Sequence, residues 1–251
     1  MTIKKRPTVL SIAGYDPSAG AGVLADIKTL EAIGIYGFAA TTCVTYQNEN
    51  KFGDVKWLSV KQIKNQIYPI LELHKIEFVK VGLIENFKTL TAIIELLKAH
   101  NPTVKIIWDP ILRASAGFDF HKKIAKKELK YILKNVFLIT PNWNEIQPLS
   151  NEEDVVHGAE KLAKHCAVFL KGGHNIETPA TDILFIEDDI EIFHPTKITE
   201  LQKHGSGCVL SSAITAYLAL GNDIKKSCEL AKEYTYNFLV SNKTKLGYHN
   251  L

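Results

Sequence analysis

Four short segments combine residue types and spacings that support chemistry. His204-Gly205-Ser206-Gly207-Cys208 heads an unusually small and apolar helical run, Gly207 to Leu220. Two glycines and a serine ahead of a helix turn several backbone N–H groups one way. The helix dipole adds partial positive charge, so Gly205, Ser206 and Gly207 read as an anion hole. Cys208 falls in the first turn, where a thiol pKa is lowered, and its thiolate then reads as a base. A glycine turn followed by a buried cysteine accounts for the same residues, and spacing alone leaves both readings open.

Thr140-Pro141-Asn142-Trp143-Asn144-Glu145 is the second segment. An Asn with a Glu three residues on can order a hydrated Mg2+, which takes few protein ligands. The same pair is the signature of a helix N-cap. Lys171-Gly172-Gly173-His174 brings an ammonium to a strand end, either near a polyphosphate or simply as the close of the strand. The fourth segment runs from Gly14 to Gly22, and Gly20, Gly22 and Ala25 match the dinucleotide fingerprint G-x-G-x-x-G/A. However, Gly20 comes well after the apolar run ending at Ala13, and Thr45 is followed by Tyr46, Gln47 and Asn48 where an acid is expected. An NAD-dependent oxidoreductase is therefore the rival from another class. A turn needed only for backbone geometry and a small-molecule pocket lined by this loop and Asp26 are the other readings. There is no Walker A sequence, HExxH or Cys/His ligand cluster, which argues against a P-loop NTPase and a structural zinc site.

The elements that must hold these segments alternate. Apolar strand-like runs at Val9 to Ala13, Phe38 to Thr45, Phe78 to Val81, Val104 to Trp108, Phe137 to Thr140 and Val168 to Leu170 are separated by helical patterns. Those patterns cover Leu24 to Ile33, Val60 to Leu71, Leu90 to Leu97, 124–135 and 152–165, and two more close the chain, Gly207 to Leu220 and Asp223 to Asn242. This rhythm predicts right-handed βαβ crossovers and a parallel sheet covered on both faces. Thr181 to Ile186 and Ile190 to Phe193 break it as a hairpin. Ligands of such sheets sit beyond the carboxyl ends of the strands, where all four segments fall.

Composition sets the remaining bounds. The 251 residues, 46% hydrophobic and 23% charged, fit a single globular domain, 1–251. The net charge of +3, from 30 basic and 27 acidic residues, argues against a nucleic-acid partner. The apolar run behind Lys4, Lys5 and Arg6 is too short for a signal peptide or membrane span, and four scattered cysteines suit a reducing cytoplasm. Cys43, Cys166 and Cys228 read as core. Only Arg6 and Arg113 are arginine, the preferred residue for bidentate phosphate contact.

Together the segments resemble one family. Ile12 to Gly22 with Ala25-Asp26-Ile27-Lys28-Thr29, Gln47-Asn48, Val81-Gly82, Asp109-Pro110, Thr140-Pro141-Asn142 with Glu145, Lys171 to His174 and His204 to Cys208 occur in the order seen in hydroxymethylpyrimidine and phosphomethylpyrimidine kinases of the ribokinase superfamily. The resemblance implies a three-layer α/β/α fold with a mainly parallel central sheet and a small antiparallel edge hairpin. It implies phosphorylation of 4-amino-5-hydroxymethyl-2-methylpyrimidine, then of its monophosphate, by Mg2+ and ATP in thiamine synthesis. It makes Cys208 the base and Gly205, Ser206 and Gly207 the anion hole, with Asn142 and Glu145 organising Mg2+ and phosphate. Gly14, Asp26, Gln47, Leu83 and Asp109 fall on the substrate side, and Lys171 on the ATP side. A homodimer is also implied. Leu83 departs from a common Met, and Arg113 stands where an apolar residue is common; Arg113 is expected to meet the phosphate of the monophosphate. A pyridoxal or pyridoxine kinase is the rival within the fold.

Overall fold

The computed structural model describes residues 6–113, 120, 126–175, 177–187, 189–195, 197 and 199–249. Lys4 and Lys5, residues 114–117 after Arg113, the first two positions of the 124–135 pattern and Asp188 in the hairpin turn lie outside the described residues.

The alternation becomes one sheet of nine strands in the order β3-β2-β1-β4-β5-β6-β7-β8-β9. Its centre is β1 (Thr8–Tyr15), β2 (Tyr36–Gln47), β4 (Phe78–Val81), β5 (Lys105–Trp108), β6 (Leu138–Ile139) and β7 (Ala167–Leu170), all parallel. β8 (Asp182–Ile186) pairs antiparallel with β7, and β9 (Asp189–Phe193) pairs antiparallel with β8 to complete the expected hairpin. The opposite edge carries a strand that the apolar pattern does not predict. There β3 (Phe52–Trp57) pairs antiparallel with β2, so both edges carry antiparallel strands. β3 reads Phe-Gly-Asp-Val-Lys-Trp and is largely exposed, so it lacks the apolar run that marks an interior strand.

Successive side chains on a strand point to opposite faces, which explains why the central runs are apolar throughout. Leu10, Ile12, Ile106, Trp108, Ile139, Val168 and Leu170 face one core. It is covered by α2 (Val60–Leu73), α3 (Phe87–His100), α4 (Lys126–Asn135), α5 (Trp143–Ser150) and α6 (Val155–Ala163). Val9, Ile107, Leu138 and Phe169 face the other, against α1 (Gly22–Ala32), α7 (Ser206–Ala219) and α8 (Ile224–Val240). α7 is apolar almost all round because it is packed between the sheet, α1 and α8. Cys43 and Cys228 are buried and Cys166 is half-buried, all as free thiols.

Candidate active site

The strand ends are held level by the sheet's hydrogen bonds, which run past the strands themselves. Gly82 N donates to Ile12 O, Asp109 N to Val81 O, Thr140 N to Trp108 O and Lys171 N to Pro141 O, at 2.8–3.0 Å. Gly14, Gln47, Leu83, Asp109, Asn142 and Lys171 therefore emerge along one rim, and α7 brings Gly205 to Cys208 against it. All of these residues, with Glu145 and Arg113, line one cavity of about 150 Å3.

At the head of α7, Gly205 adopts φ +76°, and a Cβ there would lie 2.0 Å from the carbonyl oxygen of Gly20. Only glycine meets both demands. The Ser206 N–H, expected in the anion hole, already donates to Lys203 O at 3.3 Å, whereas among the described residues those of Gly207 and Cys208 find no acceptor, as expected for the first turn of a helix. A Cβ on Gly207 would stand 3.5 Å from Lys171 Nζ, so the ammonium flanks the same amides. Lys171 donates to Asp109 Oδ1 at 2.7 Å, which also accepts from Thr140 Oγ1. Burial acts to lower the Lys171 pKa, but the carboxylates of Asp109 and Glu145 outweigh it and raise it, so the lysine stays charged.

The expected lowering of the Cys208 thiol does not occur. Burial pushes it up to about 11, against the opposing pull of Lys80 and a hydrogen bond from the Gly22 backbone. The first-turn position is real, but desolvation of the thiolate outweighs the helix terminus.

Asn142 and Glu145 realise the N-cap reading. Asn142 Oδ1 accepts from the amides of Asn144 and Glu145 at 2.9 and 3.2 Å, and Glu145 Oε2 accepts from Asn142 N at 2.7 Å. The Asn142 oxygen is thus engaged twice by backbone amides, which leaves ordering of a hydrated cation through water as its route to a metal. Glu145 is a different case. Burial, with the charge of Asp109 nearby, lifts its carboxyl to about 7 despite the opposing effect of Lys171. A buried carboxyl beside a second carboxylate fits a hydrated divalent cation, which supplies the missing charge through one or two oxygens. Among the described residues no three His, Cys, Asp or Glu converge as a closed metal cluster.

Asp26 is the clearest correction. It is fully buried and bonded to Lys80, Ser11 and Ser212, beneath the cavity and not in its wall. Its place is taken by Asp16 and His204, joined at 2.8 Å, together with Thr45, Phe52, Ile111 and Phe120. Asp16 and His204 were legible as members of the glycine segments, but their pairing across 188 residues was not. Asp16 also argues against the dinucleotide fingerprint. Its carboxylate accepts the amides of Ser18 and Ala21, so the loop already holds an anion of its own.

A second cavity, about 900 Å3, opens between the β8-β9 edge and α8. Its wall includes Lys197, Lys225, Lys226 and Lys232 with apolar Leu210, Phe193 and Leu239, none of which the motifs identified. The two cavities share Asn142, Lys171, Ser206 and Gly207. Two ligands would therefore meet at the anion hole.

Two concave sites converging on a helix N-terminus, at the carboxyl edge of a mostly parallel α/β/α sheet, define a small-molecule kinase of the ribokinase-like fold. The family model described as phosphomethylpyrimidine kinase matches residues 16–251. The hydroxymethylpyrimidine/phosphomethylpyrimidine kinase of Aquifex aeolicus (strain VF5) is 36% identical over 246 residues, 95% of this chain and 96% of that protein. The chain belongs to the phosphomethylpyrimidine kinase family. The crystal structure of phosphomethylpyrimidine kinase from Clostridium difficile 630 is similar at a TM-score of 0.78 and 33% identity, covering 92% of this chain and 99% of that one. The pyridoxal kinase of Staphylococcus aureus in complex with ADP has the same fold, at a TM-score of 0.83 and 23% identity over 98% and 94% of the two chains.

Proposed function

We propose that the protein transfers the terminal phosphoryl group of ATP to the hydroxymethyl oxygen of 4-amino-5-hydroxymethyl-2-methylpyrimidine, and then to the phosphate oxygen of the resulting monophosphate. The observation that carries this reading is the meeting of the two cavities at Asn142, Lys171, Ser206 and Gly207. The smaller cavity takes the pyrimidine, with Gln47 bonding its polar edge and Leu83 against its face. The larger takes ATP, whose terminal phosphate reaches the amides of Gly207 and Cys208. Phosphoryl transfer asks mainly for in-line positioning and stabilisation of charge on the equatorial oxygens. The α7 N-terminus and Lys171 supply fixed positive charge there.

Glu145, with water, would hold a Mg2+ ion, whose charge would offset that on the phosphate oxygens. Cys208 accepts the hydroxyl proton in the first step. A primary alcohol is a poor acid, so that proton leaves late in a loose transition state. Arg113, on the rim of the smaller cavity, meets the phosphate of the monophosphate. A homodimer in the cytoplasm completes the reading; the free cysteines are consistent with that compartment.

Product analysis tests the whole. With ATP, Mg2+ and hydroxymethylpyrimidine, first monophosphate and then diphosphate should accumulate. A higher kcat/KM for pyridoxal would overturn the substrate assignment. Arg113→Ala should raise KM for the monophosphate and leave the first step unchanged.

A further inference from the structure

Beneath Cys208 lies a charge pair that the transfer reaction does not touch. Lys80 on β4 and Asp26 on α1 both have side chains of zero exposure, and Lys80 Nζ donates to both Asp26 oxygens at 2.9 Å. Asp26 Oδ1 also accepts from Ser212 Oγ at 2.7 Å, and Oδ2 from Ser11 Oγ on β1 at 2.6 Å. One carboxylate thus ties together β1, β4, α1 and α7. Ser212 stands four residues after Cys208, on the same face of α7. Its neighbour Ser211 donates to Cys208 O at 3.1 Å, with Asp109 Oδ2 farther off at 3.4 Å, and Asp109 is paired with Lys171. Consecutive serines of one helix therefore each stand beside a carboxylate, Ser212 bonded to its own at 2.7 Å, and each carboxylate is paired with a lysine.

A buried ion pair loses much of its attraction to desolvation, and a well-packed apolar pair is often as stable or more so. Stability alone is therefore a weak reason for placing a lysine and an aspartate at the centre of this fold. Their location under the reacting end of α7 suggests another.

We propose that the Asp26–Lys80 pair positions Cys208, fixing the first turns of α7 through Ser212 and setting the charge that the sulfur faces from below. The inference rests on the reading of Cys208 as the proton acceptor. The charges that act on the sulfur are those of Lys80 from β4, Asp26 from α1, Asp109 after β5 and Lys171 after β7. Lys80 favours the thiolate, whereas Asp26 and Asp109 oppose it. Asp26 and Lys80 are positioning residues, since neither lines either cavity.

The opposed signs give the test. Iodoacetamide alkylation of Cys208, followed by mass spectrometry of its peptide, is measured in the full-length protein between pH 8 and pH 10. Below the thiol pKa the rate follows the thiolate fraction, so a shift of about one pH unit reads as about a tenfold change at fixed pH. Lys80→Met should slow alkylation about tenfold and Asp26→Asn should speed it, while Asp26→Asn/Lys80→Met falls between them. The pH profile of kcat/KM for the first phosphorylation should move in the same directions. Ser212→Ala, which keeps both charges, should lower kcat without moving the alkylation profile, and it is the variant to use if Lys80→Met does not fold. Shifts of the same sign in the two single variants, or wild-type kcat in Ser212→Ala, would overturn the proposal. The base assignment is tested separately, because full first-step activity in Cys208→Ala removes that role whatever the alkylation profile shows.

Discussion

His204 Nε2 lies 2.8 Å from Asp16 Oδ2, joining the glycine loop after β1 to the residue before the anion hole. Burial raises the Asp16 carboxyl, but bonds from His204, from the Ser18 hydroxyl and from the amides of Ser18 and Ala21 outweigh it and hold the group below its usual range. Asp16 is thus a fixed negative post around which both glycine segments are arranged. Asp16→Ala leaves those donors without their acceptor. Because one bond to a buried charged group contributes about 1.5–3 kcal/mol, urea unfolding should show a loss of about 3 kcal/mol. The Gly205 turn moves with His204, so kcat should fall about 100-fold, the scale set by losing an oxyanion donor. A folded Asp16→Ala protein with wild-type kcat would exclude this coupling.

Cys208 should matter unequally to the two phosphorylations. The hydroxymethyl group must lose a proton as it attacks, whereas a phosphate monoester, with a second pKa of about 6, presents an ionised oxygen near neutral pH. Cys208→Ala should therefore reduce the first step by about 100-fold, within the range for removal of a general base, and the second much less. With the thiol held near 11, the first step should also accelerate as pH rises from 7 to 10 while the second stays flatter. Separate assays starting from the alcohol and from the monophosphate decide the matter, and equal losses would show that Cys208 acts by shaping the anion hole.

The Lys171–Asp109 pair sits where the cavities join, with side-chain exposures of 12% and 1%. Lys171→Met leaves a buried carboxylate without its cation and should cost about 3 kcal/mol or more of stability. Adding Asp109→Asn removes that unpaired charge and should restore most of the loss, while neither protein regains transfer activity. A double-mutant cycle from urea unfolding measures the coupling, and strictly additive effects would rule it out.

What the sequence disclosed follows from how locally each feature is encoded. The central strands show as short apolar runs because both faces are buried, and Gly205 to Cys208 is legible because an anion hole uses backbone amides, whose requirement is glycine. β3 was hidden because an exposed edge strand needs no apolar pattern; its pairing with β2 makes it a strand. Asp26 looked like a pocket residue because it follows the glycine loop, but Lys80, 54 positions later, decides where it faces. Phe52 and Phe120, with ring centroids 5.4 Å apart, close one side of the smaller cavity from segments that carry no motif. The wall of the larger cavity is equally dispersed, assembled from the β9 edge and α8.

The C-terminal segment gives the last prediction, a dependence on acid. Lys245 O accepts from His204 N at 2.9 Å, and Lys203 Nζ is held by Asn242 and by the Thr244 carbonyl, so residues 242–245 brace the strand of chain leading into the anion hole. The segment is pinned farther on by His249, whose Nδ1 lies 3.0 Å from Tyr234 Oη and whose ring lies 4.9 Å from that of Phe238. Burial, with a smaller contribution from Lys28, lowers the His249 pKa from 6.5 to about 4. Between those values the unfolded chain binds a proton that the folded one does not. Stability therefore falls as pH drops from about 6.5 toward 4, and the contribution is fully present above that window. Melting temperature should decline across this range, and His249→Phe, which cannot protonate, should decline less. Because the brace ends beside Gly205, the acid limb of kcat should be shallower in the same variant. Parallel pH curves for the two proteins, in both melting and rate, would show that His249 does not govern the brace.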